Sequence, residues 1–394
     1  MQLDLFDIQK NSETISLEDV FLAYHACRKN KRYRSTSLEF ELDYENQLVE
    51  LWREIKEGSY KPSFSSAFII KKPVCREIFA AQFRDRIVHH LVIDKLEHHF
   101  EKTFIYDSYA CRKGRGTLFG IRRIEKFIRS CSLNYQKDCY ILKLDVQGFF
   151  MNISRALLWE KLSVFINKSY LLPDKEALIF LCKTIVHNDP TLNCILRGDE
   201  KHWGLIPNDK SLFTVSKGLG IPIGNLSSQI FANFFMNPFD HYIKHNLRFR
   251  YYGRYVDDFV LIHESKQKLI DSISLIRLFL KKELFLDLHP KKIYLQHYSK
   301  GVSFLGSMIR PYRVTPGKRI IKNFFQTIDH YSKWDSQITK EDQRRFLCSI
   351  NSYLGILTHQ KCYLLKNKMY ARLQGPWKKI TYITVGLNKI CLKY

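Results

Sequence analysis

The run RFRYYGRYVDDFVLIH, residues 248–263, constrains the fold of this chain more than any other segment. Two apolar, aromatic-rich stretches that read as strands, Phe249 to Tyr252 and Phe259 to Ile262, flank the adjacent carboxylates Asp257 and Asp258. In a regular strand neighbouring side chains point to opposite faces, so the pair could not share one task there. A tight turn at the pair would let both approach one cation. Two like charges in an apolar hairpin are costly unless something neutralises them. A divalent ion with hard oxygen ligands, Mg²⁺, is the simplest candidate. A solvated acidic turn is the competing explanation.

A second segment favours the metal. Tyr140 to Phe150, YILKLDVQGFF, is an apolar run that ends in Asp145, followed by a glycine and two aromatics. It reads as a buried strand presenting Asp145 at its carboxyl end. Two-metal phosphoryl transfer holds its ions about 3.5–4 Å apart between bridging carboxylates. One ion favours attack by a 3′-hydroxyl and the other stabilises the leaving pyrophosphate. One strand-end Asp and a turn Asp pair about a hundred residues later have the spacing of a polymerase palm. The alternative for Asp145 is an N-cap for a helix over 149–158.

The chain resembles a reverse transcriptase, in which LDVQGFF (144–150) and YVDDF (255–259) match the palm motifs. Within that family it is most similar to the enzymes of diversity-generating retroelements. The discriminating segment is GLGIPIGNLSSQ (218–229), where most reverse transcriptases carry Gln-Gly-x-x-x-Ser-Pro. The retroelement branch has an aliphatic residue, Gly-x-x-x-Ser-Gln, and Ile223-Gly224 through Ser228-Gln229 fits it. DSYACRKGRGT (107–117), WGLIPNDKSLF (203–213), HPKKIYLQHYSKGVSFLG (289–306) and NSYLGILTHQKCY (351–363) resemble the same branch. The likeness runs from about residue 60 to the end.

That resemblance implies an α+β right-hand polymerase with fingers, a palm of antiparallel sheet plus helices, and a helical thumb. The expected divisions are a basic helical extension (1–60), fingers (61–135), palm (136–164 and 216–309), an insertion (165–215) and thumb (310–394). Helices are expected near 17–26, 42–55, 84–100, 118–128 and 175–187, and over 228–245 with Ser227 or Ser228 as cap. Two short strands are expected between Ser65 and Phe83.

The implied reaction is RNA-templated DNA synthesis from dNTPs. Asp145, Asp257, Asp258 and the Val146 carbonyl are the expected ligands of two Mg²⁺ ions, for which Mn²⁺ can substitute. Arg76 and Lys72 neutralise the incoming triphosphate, because Mg²⁺ alone leaves residual charge on it. Phe150 stacks under the deoxyribose and excludes a 2′-hydroxyl; a core Phe is the alternative. Gly224 leaves room for the nascent base pair, while Ile223 and Gln229 affect fidelity. Lys292, beside Lys291, protonates the departing pyrophosphate. Phe304, Leu305 and Gly306 form a primer grip. Arg28, Lys29 and Arg32, and Arg112, Lys113 and Arg115 in a glycine-bearing loop, are candidate nucleic-acid contacts, with solvated basic faces as the alternative.

Composition agrees. With 63 Lys and Arg against 39 acidic residues in 394, the formal charge of +24 suits a polyanionic partner. Apolar runs long enough to span a bilayer, signal peptides and lipidation motifs are not evident, so no membrane role is expected. Ten cysteines without a C-x-x-C pair read as free thiols in a reducing cytoplasm. The expected partners are template RNA with flanking RNA, the RNA–DNA duplex and a small basic accessory protein, itself an oligomer. The expected biology is adenine-directed infidelity and mutagenic retrohoming into a target gene. No RNase H, endonuclease or maturase segment is visible, which puts a group II intron-like protein second. Retron or phage-defence enzymes, and a non-catalytic RNA-binding scaffold, are the other readings.

Overall fold

A computed structural model of the protein describes residues 14–29, 31, 35–71, 75–334 and 337–393. It opens with helices α1 (Leu17–Arg28), α2 (Ser35–Glu41) and α3 (Tyr44–Lys56). Ser16 and Asp19 start α1 with a reciprocal capping box, each side chain accepting the other's backbone N–H at 3.1 Å. Strands β1 (Ser65–Ile70) and β2 (Arg76–Ala81) pair antiparallel and bury Ala67 and Phe79. Helix α4 (Phe83–Thr103) is the pillar on which α1 and α2 lie. Lys95 on α4 reaches Asp19 at 3.0 Å and Asp174 at 2.7 Å, tying the first helix and the insertion to this pillar.

Helix α5 (Thr117–Cys131) precedes β3 (Tyr140–Asp145). Short α6 (Phe149–Asn152) and then α7 (Arg155–Ser169) follow, so the expected 149–158 stretch is two helices, the second capped by Ser154. The insertion contributes α8 (Lys175–His187) and β4 (Cys194–Leu196), which adds to β1 in parallel.

Helices α9 (Leu226–Phe235) and α10 (Asn237–His241) occupy the region expected to hold one helix. Pro238 starts the second piece, because proline has no N–H to continue the first. A π-helical turn, Tyr242–Asn246, completes it. Neither Ser227 nor Ser228 is the cap: Asn225 holds that position, and its side chain instead accepts the Ala81 N–H of β2. The Ser227 hydroxyl is committed to His89 Nδ1 at 2.6 Å.

Strands β5 (Tyr251–Tyr255), β6 (Asp258–His263) and, after helix α11 (Lys266–Leu284), β7 (Tyr294–His297) complete the central sheet. Its order is β5-β6-β3-β7, antiparallel throughout. Alternation sorts its side chains. Leu142, Leu144, Tyr252, Phe259 and Leu261 face the main core with α9 to α11. Ile141, Val260 and Ile262 face Ile121, Ile124 and Phe127 of α5.

Beyond it, β8 (Val302–Phe304), β9 (Ser307–Arg310) and β10 (Arg313–Pro316) form a small antiparallel sheet. Helices α12 (Lys318–Ser332), α13 (Lys340–Thr358), α14 (Tyr363–Arg372) and α15 (Gly375–Ile380) form a separate core around Phe346 and Trp377, stacked at 4.4 Å. A hairpin of β11 (Thr381–Ile383) and β12 (Ile390–Leu392) closes the bundle. The region from 310 onward is therefore not wholly helical. Tyr331 belongs to its core, whereas Tyr363 is exposed. Together these elements make an α+β fold of antiparallel sheets packed with helices, with a mainly helical bundle after residue 310.

Candidate active site

The turn between β5 and β6 is confined to Val256 and Asp257, so Asp258 is the first residue of β6. Val256 adopts φ 57°, a left-handed conformation that is strained for a β-branched residue. The β3–β6 register sets Asp145 directly opposite Asp258, and opposed residues project from the same sheet face. The Val146 N–H donates to the Asp257 carbonyl at 3.2 Å, drawing the turn against the end of β3.

The three carboxylates feel one another. Burial, and next the nearby Asp145, push the Asp257 carboxyl up to about 6, against the pull of Lys292 and Arg76. Burial also pushes Asp258 to about 6, opposed chiefly by Lys143. Arg76, at the start of β2, is thus near enough to act on Asp257.

Among the described residues no three His, Cys, Asp or Glu side chains form a ready metal-binding group. Lys292 Nζ instead sits 2.8 Å from Asp145 Oδ1, and Lys143 Nζ 2.9 Å from Asp258 Oδ2. The physical reason is neutralisation: clustered, poorly hydrated carboxylates recruit the nearest ammonium groups. The residues nonetheless fit a hard divalent cation. Asp258 Oδ1 is buried without a hydrogen-bond partner, and Asp257 is half-buried beside a second carboxylate.

Lys143 was not foreseen. Its signal was a lone cation inside YILKLD, two residues before Asp145 and therefore on the same face. Its ammonium also donates to the Ser303 carbonyl at 3.1 Å, connecting Asp258 to β8. Glu77 was missed too. Fully buried on β2, it accepts the Leu212 N–H and the Ser211 hydroxyl (2.8 Å), anchoring the 208–214 segment to the β1–β2 hairpin. Burial pushes its carboxyl up.

Phe150 and Ile223 meet at one small apolar cluster, packed against Ala67, Phe79, Met151 and Leu212. Phe149 beside them is core. The Ile223 carbonyl accepts the Phe79 N–H at 2.8 Å. This contact gives Gly224 a different reason from the expected one. At φ 135°, a Cβ there would lie 2.7 Å from the Phe79 carbonyl oxygen, so strand β2 itself excludes a side chain. Gln229 is exposed and accepts from the Cys111 thiol at 3.2 Å.

The turn expected to act as primer grip is formed by Leu305 and Gly306, both at positive φ, between β8 and β9. The Phe304 ring is not available to a primer, being fully buried against α5. Arg112 is likewise corrected. Its buried guanidinium is consumed by Glu101 and by the carbonyls of Ile105 and Ser108, so it braces the loop from inside. Lys113 is exposed and paired with Glu97, while Arg115 stacks on Tyr106 at 4.1 Å. Arg28 pairs with Glu41 at 2.6 Å, and Lys29 is exposed. Lys72 and Arg32 lie outside the described residues. Among the described residues no helix is long and apolar enough to cross a membrane.

A family model described as "Reverse transcriptase (RNA-dependent DNA polymerase)" matches residues 70–309. Protein YkfC of Escherichia coli (strain K12) is 23% identical over 354 residues, which cover 81% of this chain and 82% of that protein. Among solved structures, apo telomerase from Candida tropicalis is similar with a TM-score of 0.49 and 12% identity, over 79% of this chain and 57% of that one. Telomerase from Candida albicans in complex with the TWJ fragment of telomeric RNA gives 0.47 and 12%, over 85% and 64%. The chain thus spans less than two thirds of the length of either telomerase.

Proposed function

We propose that this chain, which belongs to the reverse transcriptase (RNA-dependent DNA polymerase) family, extends a DNA primer at Asp145, Asp257 and Asp258. It is an RNA-directed DNA polymerase. Divalent cations, Mg²⁺ in this reading, would be held by these carboxylates with the Val146 carbonyl, and would activate the 3′-hydroxyl and neutralise the leaving pyrophosphate. Lys292 would give its ammonium proton to that pyrophosphate once the cations relieve Asp145 of it. Arg76 would face the triphosphate from the fingers. Phe150 would lie against C2′ of the sugar, where an added hydroxyl would be crowded and unpaired. The observation that carries this reading is the cross-strand pairing of Asp145 with Asp258, beside a half-buried Asp257 whose carboxyl is pushed up.

The more specific role is copying a template-repeat RNA with errors at adenines, for mutagenic retrohoming into a target protein gene. RNA flanking the template and a small basic accessory protein would take part. The support is the sequence from Ile223 to Gln229, and the packing of Ile223 and Phe150 against one apolar cluster. A small aliphatic side chain there replaces an amide that would help hold the template base or nucleotide. Losing such a hold loosens selection by about 1–3 kcal/mol, enough for frequent errors.

The test is primer extension on an RNA template with Mg²⁺, with and without the accessory protein, followed by sequencing of the cDNA. Extension that disappears in Asp145→Asn, with errors concentrated opposite adenine and reduced in Ile223→Gln, is expected. Extension surviving Asp145→Asn would remove the catalytic reading. An error spectrum indifferent to Ile223→Gln would remove the fidelity reading alone.

A further inference from the structure

Arg254 is fully buried, and so is its partner Asp240 on α10. The guanidinium grips that carboxylate with Nε at 2.7 Å and Nη2 at 2.5 Å, while Tyr252 adds its hydroxyl to the same Asp240 at 2.6 Å. Nη2 also reaches the Asn233 carbonyl at 3.3 Å. The remaining arm, Nη1, donates at 2.9 Å to the carbonyl of Val256. That carbonyl belongs to the peptide unit leading directly into Asp257.

A buried ion pair is a weak stabilising device, since apolar residues of similar volume commonly replace one without loss. What such residues could not replace is the N–H aimed at Val256. Asp257 lies between two restrained peptide groups. The one before it is held by Arg254 and the one after it by the Val146 N–H. Val256 itself sits at φ 57°, which a β-branched residue leaves unless held. Alternation places Arg254 on the sheet face opposite Asp258, behind the carboxylates and out of reach of substrate.

We infer that Arg254 is a positioning residue for polymerisation: clamped by Asp240, it holds the Val256 peptide so that Asp257 stays aimed at Asp145. The inference rests on Asp257 being catalytic. Lysine can satisfy Asp240 but lacks the rigid fork that serves Val256 as well.

The experiment measures single-nucleotide extension by Arg254→Lys, Arg254→Lys with Val256→Gly, and Asp257→Asn. A misaimed carboxylate should lower kcat about tenfold or more while KM for dNTP changes less than about threefold. Glycine adopts positive φ without strain, so Val256→Gly should return much of the lost kcat in the Arg254→Lys background. A purely structural role for Arg254 would give no such rescue. Should Arg254→Lys fail to fold, the pair Arg254→Met with Asp240→Leu replaces the ion pair by apolar volume and is read in the same way. Full kcat in whichever variant folds, or loss without rescue by Val256→Gly, overturns the inference. Activity in Asp257→Asn overturns the catalytic assignment and this inference with it; an inactive Asp257→Asn beside a fully active Arg254 variant overturns this inference alone.

Discussion

Lys143 on β3 reaches diagonally across the β3–β6 pairing to Asp258, with Nζ 2.9 Å from Oδ2, and the same ammonium holds the Ser303 carbonyl of β8. One side chain thus neutralises a candidate catalytic carboxylate and connects it to the β8–β9 hairpin, the candidate primer grip.

Lys143→Met should therefore destabilise the protein in a pH-dependent way. Asp258, already raised to about 6, would rise further without its counter-charge. A raised carboxyl contributes stability below its unfolded value that is lost as pH rises through the folded one. In chelator the variant should lose about 1–2 kcal/mol at pH 8, and much less below about pH 5, where Asp258 is protonated. Urea denaturation at both pH values measures this. Added Mg²⁺ should stabilise the variant more than the wild type, because a cation takes over the missing neutralisation.

Asp257→Asn should abolish extension yet stabilise the metal-free protein. The folded carboxyl is raised from 3.8 to about 6, so its contribution is complete below 3.8 and lost above 6. An amide has nothing to ionise. The variant should gain on the order of 2 kcal/mol over wild type at pH 8 in chelator and converge with it near pH 4. Thermal melts across that range that run parallel would contradict the shift.

His89 makes the opposite prediction. Burial, with His90 and Arg86 nearby, holds its imidazole down at about 4, and the ring meets Ser227 at the start of α9. A depressed histidine contributes stability above its unfolded value near 6.5 that is lost as pH falls through the folded one. Acidification to about pH 4 should cost about 3 kcal/mol from this group. His89→Gln, which keeps a polar partner for Ser227, should flatten the acid limb of a urea-midpoint profile by about one proton.

Gly224→Ala tests which neighbour demands the glycine. Its Cβ would meet the Phe79 carbonyl at φ 135°, so folding stability should fall by at least about 2 kcal/mol before any substrate is present. A variant of unchanged stability that is defective only in nucleotide binding would restore the substrate-clearance explanation.

Much of this was legible in the chain because it is local. An apolar run ending in Asp145 reads as a strand with its carboxylate at the tip, and Lys175–His187 matched its helical pattern residue for residue. The errors came where a polar side chain had two possible employments. Ser227 has the chemistry of a cap, but a histidine 138 residues away claims its hydroxyl. Arg112 reads as a phosphate contact, until Glu101 and two carbonyls surround it.

By itself the sequence determined the element types, the carboxylate trio, the basic character and the family, since these depend on residue identity and short-range spacing. Only the tertiary structure decided which cation neutralises which carboxylate, why Gly224 is glycine, and that Arg254 supports the turn from behind the sheet. Those facts depend on where distant backbone comes to rest, and a hydrogen bond or a clash depends on separations of tenths of an ångström that no linear pattern encodes.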